Sequence, residues 1–462
     1  MNQWFRKKTV QDFLEHKGSA QLERTLSAFD LILLGVGAIV GTGIFILPGT
    51  VAAVHAGPAI VFSFIIAAIV CAFAGLCYSE FSSSVPVTGS AYSYSYVVFG
   101  ELFAWLVGWI LILEYGLAVA SVATGWSSYL LALLEGFQLH IPKALAGPFN
   151  PAEGTYINLP AIAIIMVIAY LLTLGVKEST RINTIMVFIK VGVIILFLVV
   201  GVFYVKPENW HPFMPYGASG VLGGAALVFF AYLGFDSVSN AAEEVKNPQR
   251  NLPIGIIGSL VICTLLYVSV SLVLTGIASY TQLNVSDPVS FVIALVGQDW
   301  ISGLIALGAV VGMMTVILVM SYGGSRLLYA LSRDGLLPKS MSNIHKKYKT
   351  PIQNTWVFAI AVSLCAGFIP LSKLAELVNM GTLVAFAIVS IGIIFLRNNN
   401  TIPPGGFKVP FYPVLPIVSF LLCLFLMSRL SYHTWIACGI WFVIGIIIYF
   451  VYGRKHSLMN ND

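Results

Sequence analysis

Gly35, Gly37, Gly41 and Gly43 fall within nine residues, inside the first long apolar stretch of a 462-residue chain. Each glycine weakens a helix by about 1 kcal/mol relative to alanine. In lipid, an opened helix leaves N–H and C=O groups that must find partners in protein or in a lined cavity. A break here produces two kinds of orphan group. The half-helix ending near Val40 presents carbonyls, and the one starting near Gly43 presents N–H groups and the positive end of its dipole. A small zwitterion has one end for each. Close helix packing through the same four glycines is the alternative.

Two ionisable residues lie deep in other apolar stretches. Lys190 is about nine residues, or ~14 Å, into the stretch 181–205, and Glu114 about thirteen residues, or ~20 Å, into 101–134. Intramembrane charges are costly and usually functional. Their similar depth allows a static ion pair between two helices. Desolvation also disfavours an ammonium, so Lys190 could exchange its proton in one conformation. Asp236 ends a second interruption, where it reads either as a functional carboxylate or as the N-cap of the helix that follows. Arg326, near the end of its stretch, reads as a snorkelling side chain. Met313, Met314 and Met320 lie near the middle of 300–333, where most serve packing. Met320, if it faces the break, narrows the space for a ligand side chain. No acidic residue is evident at that end, which argues against a cationic ligand. The six cysteines all sit in apolar stretches and read as reduced packing residues. The seven histidines lie near loops or ends, with none of the grouping a metal or catalytic cluster needs.

These residues must be positioned by membrane helices. The chain is 58% hydrophobic and 9% charged, the composition of an all-α polytopic membrane protein. Its net charge of +5 needs no nucleic acid, because basic loops on one side of a bilayer suffice. At ~20 residues per crossing, the pattern predicts twelve spans, from 27–54 to 433–453. An even number puts both termini on one side. Of the 24 lysines and arginines, eighteen would lie on that side, four on the other (Lys143, Lys206, Lys373, Arg429) and two inside spans (Lys190, Arg326). Cytoplasmic termini in the plasma membrane are therefore expected. Met1 to Lys17 is basic and amphipathic and reads as an interfacial or cytosolic helix, not a cleavable signal.

A coarse internal repeat is visible. The spans 101–134 and 300–333 are both too long for an upright crossing. The first and sixth spans are both interrupted near the middle. Sixth is first plus five, an odd offset, so the second copy is inverted in the membrane. Interrupted helices at matching positions of an inverted repeat point to a transporter's central site. The expected organisation is a segment 1–26, repeats over 27–205 and 219–397, two further spans in 410–453 and a tail 454–462.

Gly41-Thr42-Gly43-Ile44-Phe45 resembles the first-helix signature of the amino acid–polyamine–organocation transporters. Phe230-Ala231-Tyr232-Leu233-Gly234-Phe235-Asp236 is similar to their sixth-helix signature, and Glu243-Glu244-Val245-Lys246-Asn247-Pro248-Gln249-Arg250-Asn251-Leu252-Pro253-Ile254-Gly255 to their cytoplasmic motif before helix seven. Pro86-Val87-Thr88-Gly89-Ser90-Ala91-Tyr92 and Arg333-Asp334-Gly335-Leu336-Leu337-Pro338 match too. The resemblance runs in order over essentially the whole chain, toward bacterial members of the cationic amino acid transporter branch. It implies a LeuT-type fold of twelve transmembrane helices, a five-plus-five inverted repeat with two C-terminal helices.

The resemblance also implies roles. A substrate carboxylate would meet backbone amides around Gly41, Thr42, Gly43 and Ile44. An α-ammonium would meet carbonyls near Ala38 and Ile39 and at Phe230, Ala231 and Leu233. Phe230 would be a lid, or else ordinary core, and Met320 would bound the side-chain pocket. Lys190 would occupy the place of a sodium site in sodium-coupled relatives, which makes Lys190, with Glu114, the candidate for proton coupling. Glu243, Glu244, Lys246 and Arg250 would form a cytoplasmic charge network or gate. The expected activity is proton-coupled import of small neutral L-amino acids such as alanine. Amino acid exchange and cationic amino acid transport are alternatives within the class; a membrane-embedded enzyme and a transporter-like sensor are alternatives outside it. No cofactor, metal or nucleic acid is expected, and the coupling ion is expected to be the proton rather than sodium. The expected partners are the L-amino acid and the bilayer, a small membrane accessory subunit is left open, and the chain is expected to act as a monomer.

Overall fold

The computed structural model describes residues 6–7, 26–85, 90–174, 180–242, 245–345, 350–398 and 406–460. All regular elements among them are helical, with isolated bridges but no strand. Among the described residues, eight helical stretches are long and apolar enough to cross a membrane. Four more apolar helices, Ala28–Ile39, Leu159–Thr173, Ile352–Phe368 and Val414–Met427, are shorter. Sequence length overestimates these four because their stretches include turns: the first expected span, 27–54, does not fold as one helix.

That span is divided. α1 (Ala28–Ile39) opens in a capping box: the Ser27 hydroxyl accepts from the Asp30 N–H, and the Asp30 carboxylate accepts from the Ser27 N–H. After Ile39 the chain extends through Val40 and Gly41. It re-enters helix as α2 (Thr42–Phe45) and α3 (Leu47–Val51), then turns at Gly57 into α4 (Ile60–Ser84). α5 (Ser90–Val98), α6 (Glu101–Gly136), α7 (Leu159–Thr173) and α8 (Thr180–Gly201) follow. The second division lies between α9 (Gly217–Val228) and α10 (Ser237–Asn240). There a 3-10 turn over Phe229–Tyr232 leads to an extended Leu233 and to Gly234 at φ +110°, a conformation that only glycine adopts without strain. The remaining helices are α11 (Pro248–Ile277), α12 (Pro288–Leu295), α13 (Asp299–Arg333), α14 (Ile352–Phe368), α15 (Leu371–Arg397), α16 (Val414–Met427) and α17 (Tyr432–Ile448).

α6 and α13 are 36 and 35 residues long and pack against one another. α11 packs separately against α4 and α1, and α15 against α6. α8 shows how one face is selected: Val187, Lys190, Ile194 and Phe197 recur at helical spacing and are buried, while Phe188, Ile189, Ile195 and Val199 face outward. Lipid tails supply no hydrophobic drive between helices, so packing and hydrogen bonds must hold them, at roughly 1 kcal/mol per polar contact. α17 docks on α6 in this way. Trp109 stacks on Trp441 at 4.5 Å, and each indole N–H donates to the other residue's carbonyl, at 2.8 and 3.0 Å.

Two of the quoted motifs meet in space. The Tyr92 hydroxyl donates to the Asp334 carboxylate at 2.6 Å. Residues 86–89 of the first of these motifs, and Glu243 and Glu244 of the expected charge network, lie outside the described residues. Lys246 and Arg250 are exposed. What this region contributes is backbone: the Lys246 N–H donates to the Leu26 carbonyl at 2.9 Å, tying the entry of α1 to the chain just past α10. Arg326 lies with its guanidinium 3.4 Å from the centre of the Tyr322 ring. All six cysteines are free thiols.

Candidate functional site

The two breaks touch. A side chain on Gly43 would place its Cβ 2.5 Å from the Ala231 Cα, and one on Gly234 would lie 3.0 Å from the Ala38 carbonyl. Each break therefore fits only where the other lacks bulk. Ile39, Thr42, Ile44, Phe230, Ala231, Leu233 and Met320 are all buried, none more than 6% exposed.

The first break leaves N–H groups on its far side. Among the described residues, those of Gly41, Thr42 and Gly43 donate to no protein acceptor. Ile44 differs from the expectation: its N–H donates to the Gly41 carbonyl at 3.2 Å, because the new helix closes its first turn at once. The anion-facing set is thus Gly41, Thr42 and Gly43, at the start of α2. The Thr42 hydroxyl points elsewhere, donating to the Met313 sulfur at 3.4 Å.

On its near side the break leaves carbonyls, and these are shared between two helices. Lys190 Nζ on α8 donates to the carbonyls of Gly37 and Val40, the latter at 2.9 Å, and lies 3.4 Å from the Thr315 hydroxyl oxygen on α13. Thr315 donates its own proton to the Gly312 carbonyl at 2.7 Å, so its oxygen presents lone pairs to the lysine. Gly312 permits this approach: a Cβ there would stand 2.9 Å from the Lys190 Cβ. A buried unpaired ammonium is strongly destabilised. Here three acceptors and the negative end of the α1 dipole hold it.

The carbonyl of Ile39 is held from a third helix. The Tyr267 hydroxyl on α11 lies 2.6 Å from the Ala231 carbonyl and 3.2 Å from that of Ile39, so one phenol spans both breaks. Nothing in the residue pattern of α11 singled out Tyr267. Its ring packs between Phe64 and Tyr232, at centroid distances of 5.4 and 5.2 Å.

Glu114 does not share the acceptors of Lys190. Its Cβ lies against the position of Gly381 on α15. Its Oε2 has no hydrogen-bond partner among the described residues. Lys190 turns toward α1 and α13 and Glu114 toward α15, so these hydrogen bonds do not build the static pair that their depths allowed. Asp236 corrects another expectation. It stands at the N-cap position of α10 but makes no capping bond. Its backbone angles, φ −64° and ψ −27°, are already helical, whereas a capping residue is normally extended. Met313, Val316 and Met320 lie along one face of α13, with Met313 against Thr42 and Val316 against Gly41. An apolar wall thus runs beside the first break.

The amino acid permease family matches residues 26–449. A methylthioribose transporter of Bacillus subtilis (strain 168) is 54% identical over 460 residues, covering 100% of both chains. The branched-chain amino acid permease BcaP of the same organism is 52% identical over 460 residues, covering 99% of each. The permease of that name from Lactococcus lactis subsp. cremoris (strain MG1363) is 41% identical over 445 residues, covering 94% of this chain and 95% of the relative. Such likeness over nearly the full length leaves no room for an enzyme: the chain is a multi-pass membrane transporter and belongs to the amino acid permease family of the amino acid–polyamine–organocation superfamily.

Proposed function

We propose that the chain imports a neutral L-amino acid together with a proton, by alternating access in a LeuT-type fold of twelve transmembrane helices. Both termini are placed in the cytoplasm, with the protein in the plasma membrane. The observation that carries this reading is the division of polar groups at the paired breaks. The N–H groups of Gly41, Thr42 and Gly43 suit a carboxylate, and the carbonyls at Ile39 and Ala231 suit an ammonium. The apolar wall of Met313, Val316 and Met320 favours a small uncharged side chain. Alanine is the first choice, and the relatives named branched-chain amino acid permeases extend the range to larger aliphatic ones. A protonated Lys190 braces α8 against the end of α1. Proton loss on the inner side would weaken that brace and allow the return step, with Glu114 as the second carrier.

The relative named a methylthioribose transporter supports one other reading, a neutral sugar thioether as substrate. Such a molecule has neither carboxylate nor ammonium and would leave both ends of the site without partners. Counterflow in proteoliposomes, loaded in parallel with alanine or with methylthioribose and each challenged with alanine, serine, glycine, leucine, arginine and methylthioribose, separates the readings. Exchange with the neutral amino acids is expected. Arginine outcompeting alanine would restore a cationic substrate, and exchange with methylthioribose alone would overturn the amino acid reading.

A further inference from the structure

Buried carbonyls at an opened helix must be satisfied even when no ligand is present. For the carbonyls of Ile39 and Ala231, one on each break, the task falls to one proton. The Tyr267 phenol is fully buried, and its hydroxyl lies within reach of both the Ala231 and the Ile39 carbonyl. A hydroxyl has a single proton to donate, so it cannot saturate both. The shorter contact takes it, and the Ile39 oxygen keeps acceptor capacity. The phenol nonetheless draws both carbonyls toward one point, although their dipoles repel there. The ring is held in place by Phe64 and Tyr232, and Tyr232 is itself anchored through its hydroxyl to the Phe64 carbonyl at 3.1 Å. The phenol therefore does not shift to suit the carbonyls; they are held to suit it.

We infer that Tyr267 is the positioning residue of the ammonium-binding end of the site, keeping the Ile39 and Ala231 carbonyls aimed together before substrate arrives. The inference rests on the proposed amino acid substrate. Each carbonyl has a second lone pair, so an ammonium can join both without displacing the phenol. Without the phenol the two carbonyls separate, and the incoming ammonium must gather them, a cost taken from its affinity. The effect belongs to ligands with several N–H donors. A 2-hydroxy acid of the same shape carries one donor at that position and engages one carbonyl, so it gains little from the pairing.

Tyr267→Phe tests this in purified protein, with ligand-induced thermal stabilisation read against L-alanine and L-lactate. An affinity loss of about tenfold is expected for alanine, as for one lost alignment of hydrogen bonds, with the lactate affinity changed less than about twofold. The alanine KM for uptake should rise while kcat is nearly unchanged. Equal losses for both ligands would make Tyr267 a general packing residue and overturn the inference. Unchanged or tighter alanine binding would also overturn it, because the phenol would then be a bystander or a competitor. Should Tyr267→Phe not give a monodisperse protein, Phe64→Leu keeps the hydroxyl but loosens the ring that aims it, and the same alanine-specific loss is expected at smaller size; equal losses there overturn the inference too. Wild-type protein stabilised by lactate but by no amino acid is a separate result: it overturns the amino acid reading, and this inference with it.

Discussion

The two helix breaks share a chemistry but not a means of support. The first is abrupt: α1 ends, two residues extend, and α2 begins with three N–H groups unspent. Its carbonyls are held by an ionisable group, Lys190, from α8. The second unwinds gradually, through a 3-10 turn and a left-handed Gly234, and its Ala231 carbonyl is held by a neutral phenol from α11. Asn379 on α15 donates to the carbonyls of Ala226 and Leu227 at the end of α9, again without charge. Proton loss from Lys190 would therefore alter the support of the first break's carbonyls, whereas those of Ala226, Leu227 and Ala231 rest on neutral donors. In the proposed cycle the carbonyls of the second break would be the fixed reference against which the first is switched.

Lys190→Ala is the largest blow to this contrast. Accumulation of alanine in proteoliposomes under an inward proton gradient, without sodium, should vanish, while binding in detergent survives because Lys190 is no part of the proposed ligand contacts. Continued accumulation would make the first break as passive as the second and move attention to Glu114. Gly43→Val attacks the place where the breaks meet. Overpacking against Ala231 should cost about 1–3 kcal/mol of stability, seen as a lower melting temperature, and ligand-induced stabilisation should disappear. A normal ligand shift in this variant would exclude the backbone amides as the carboxylate site. Thr315→Val removes only the longest of the Lys190 contacts. A loss of about 1 kcal/mol or less predicts proton-driven uptake reduced a few-fold, with counterflow unaffected. The smallest effect is a control outside both breaks. Trp441→Phe deletes one indole hydrogen bond between α17 and α6, for about 1 kcal/mol or less of stability, and leaves transport unchanged.

Much of the frame is legible in the sequence because it rests on local properties. Gly41 and Gly43 mark the first break by propensity alone, the length of α6 and α13 follows from their uninterrupted apolar runs, and the depth of Lys190 follows from counting residues along its span. What joins these parts is less legible. The contact of Tyr267 with Ile39 spans 228 positions of sequence, and a tyrosine in an apolar helix resembles any other aromatic packing residue. The link between Tyr92 and Asp334 joins two stretches that each look like an isolated motif. Asp236 misled for a geometric reason: residue type and position fit an N-cap, but the turn at Gly234 delivers it with helical angles, from which the carboxylate does not reach forward into the next turn.

The contact between Gly43 and Ala231 also limits how this chain can drift over generations. The Ala231 Cα and its methyl group both stand where a side chain at 43 would go. Trimming residue 231 to glycine would leave its Cα 2.5 Å from the new Cβ, so it would not make room for alanine at 43. Enlargement of the backbone lining at 43 is closed by backbone, not by a side chain that could be exchanged. New substrate preferences would then arise more readily from the facing wall, at Met313, Val316 and Met320, where there are side chains to exchange. The least adjustable part of the proposed pocket is thus its bare backbone.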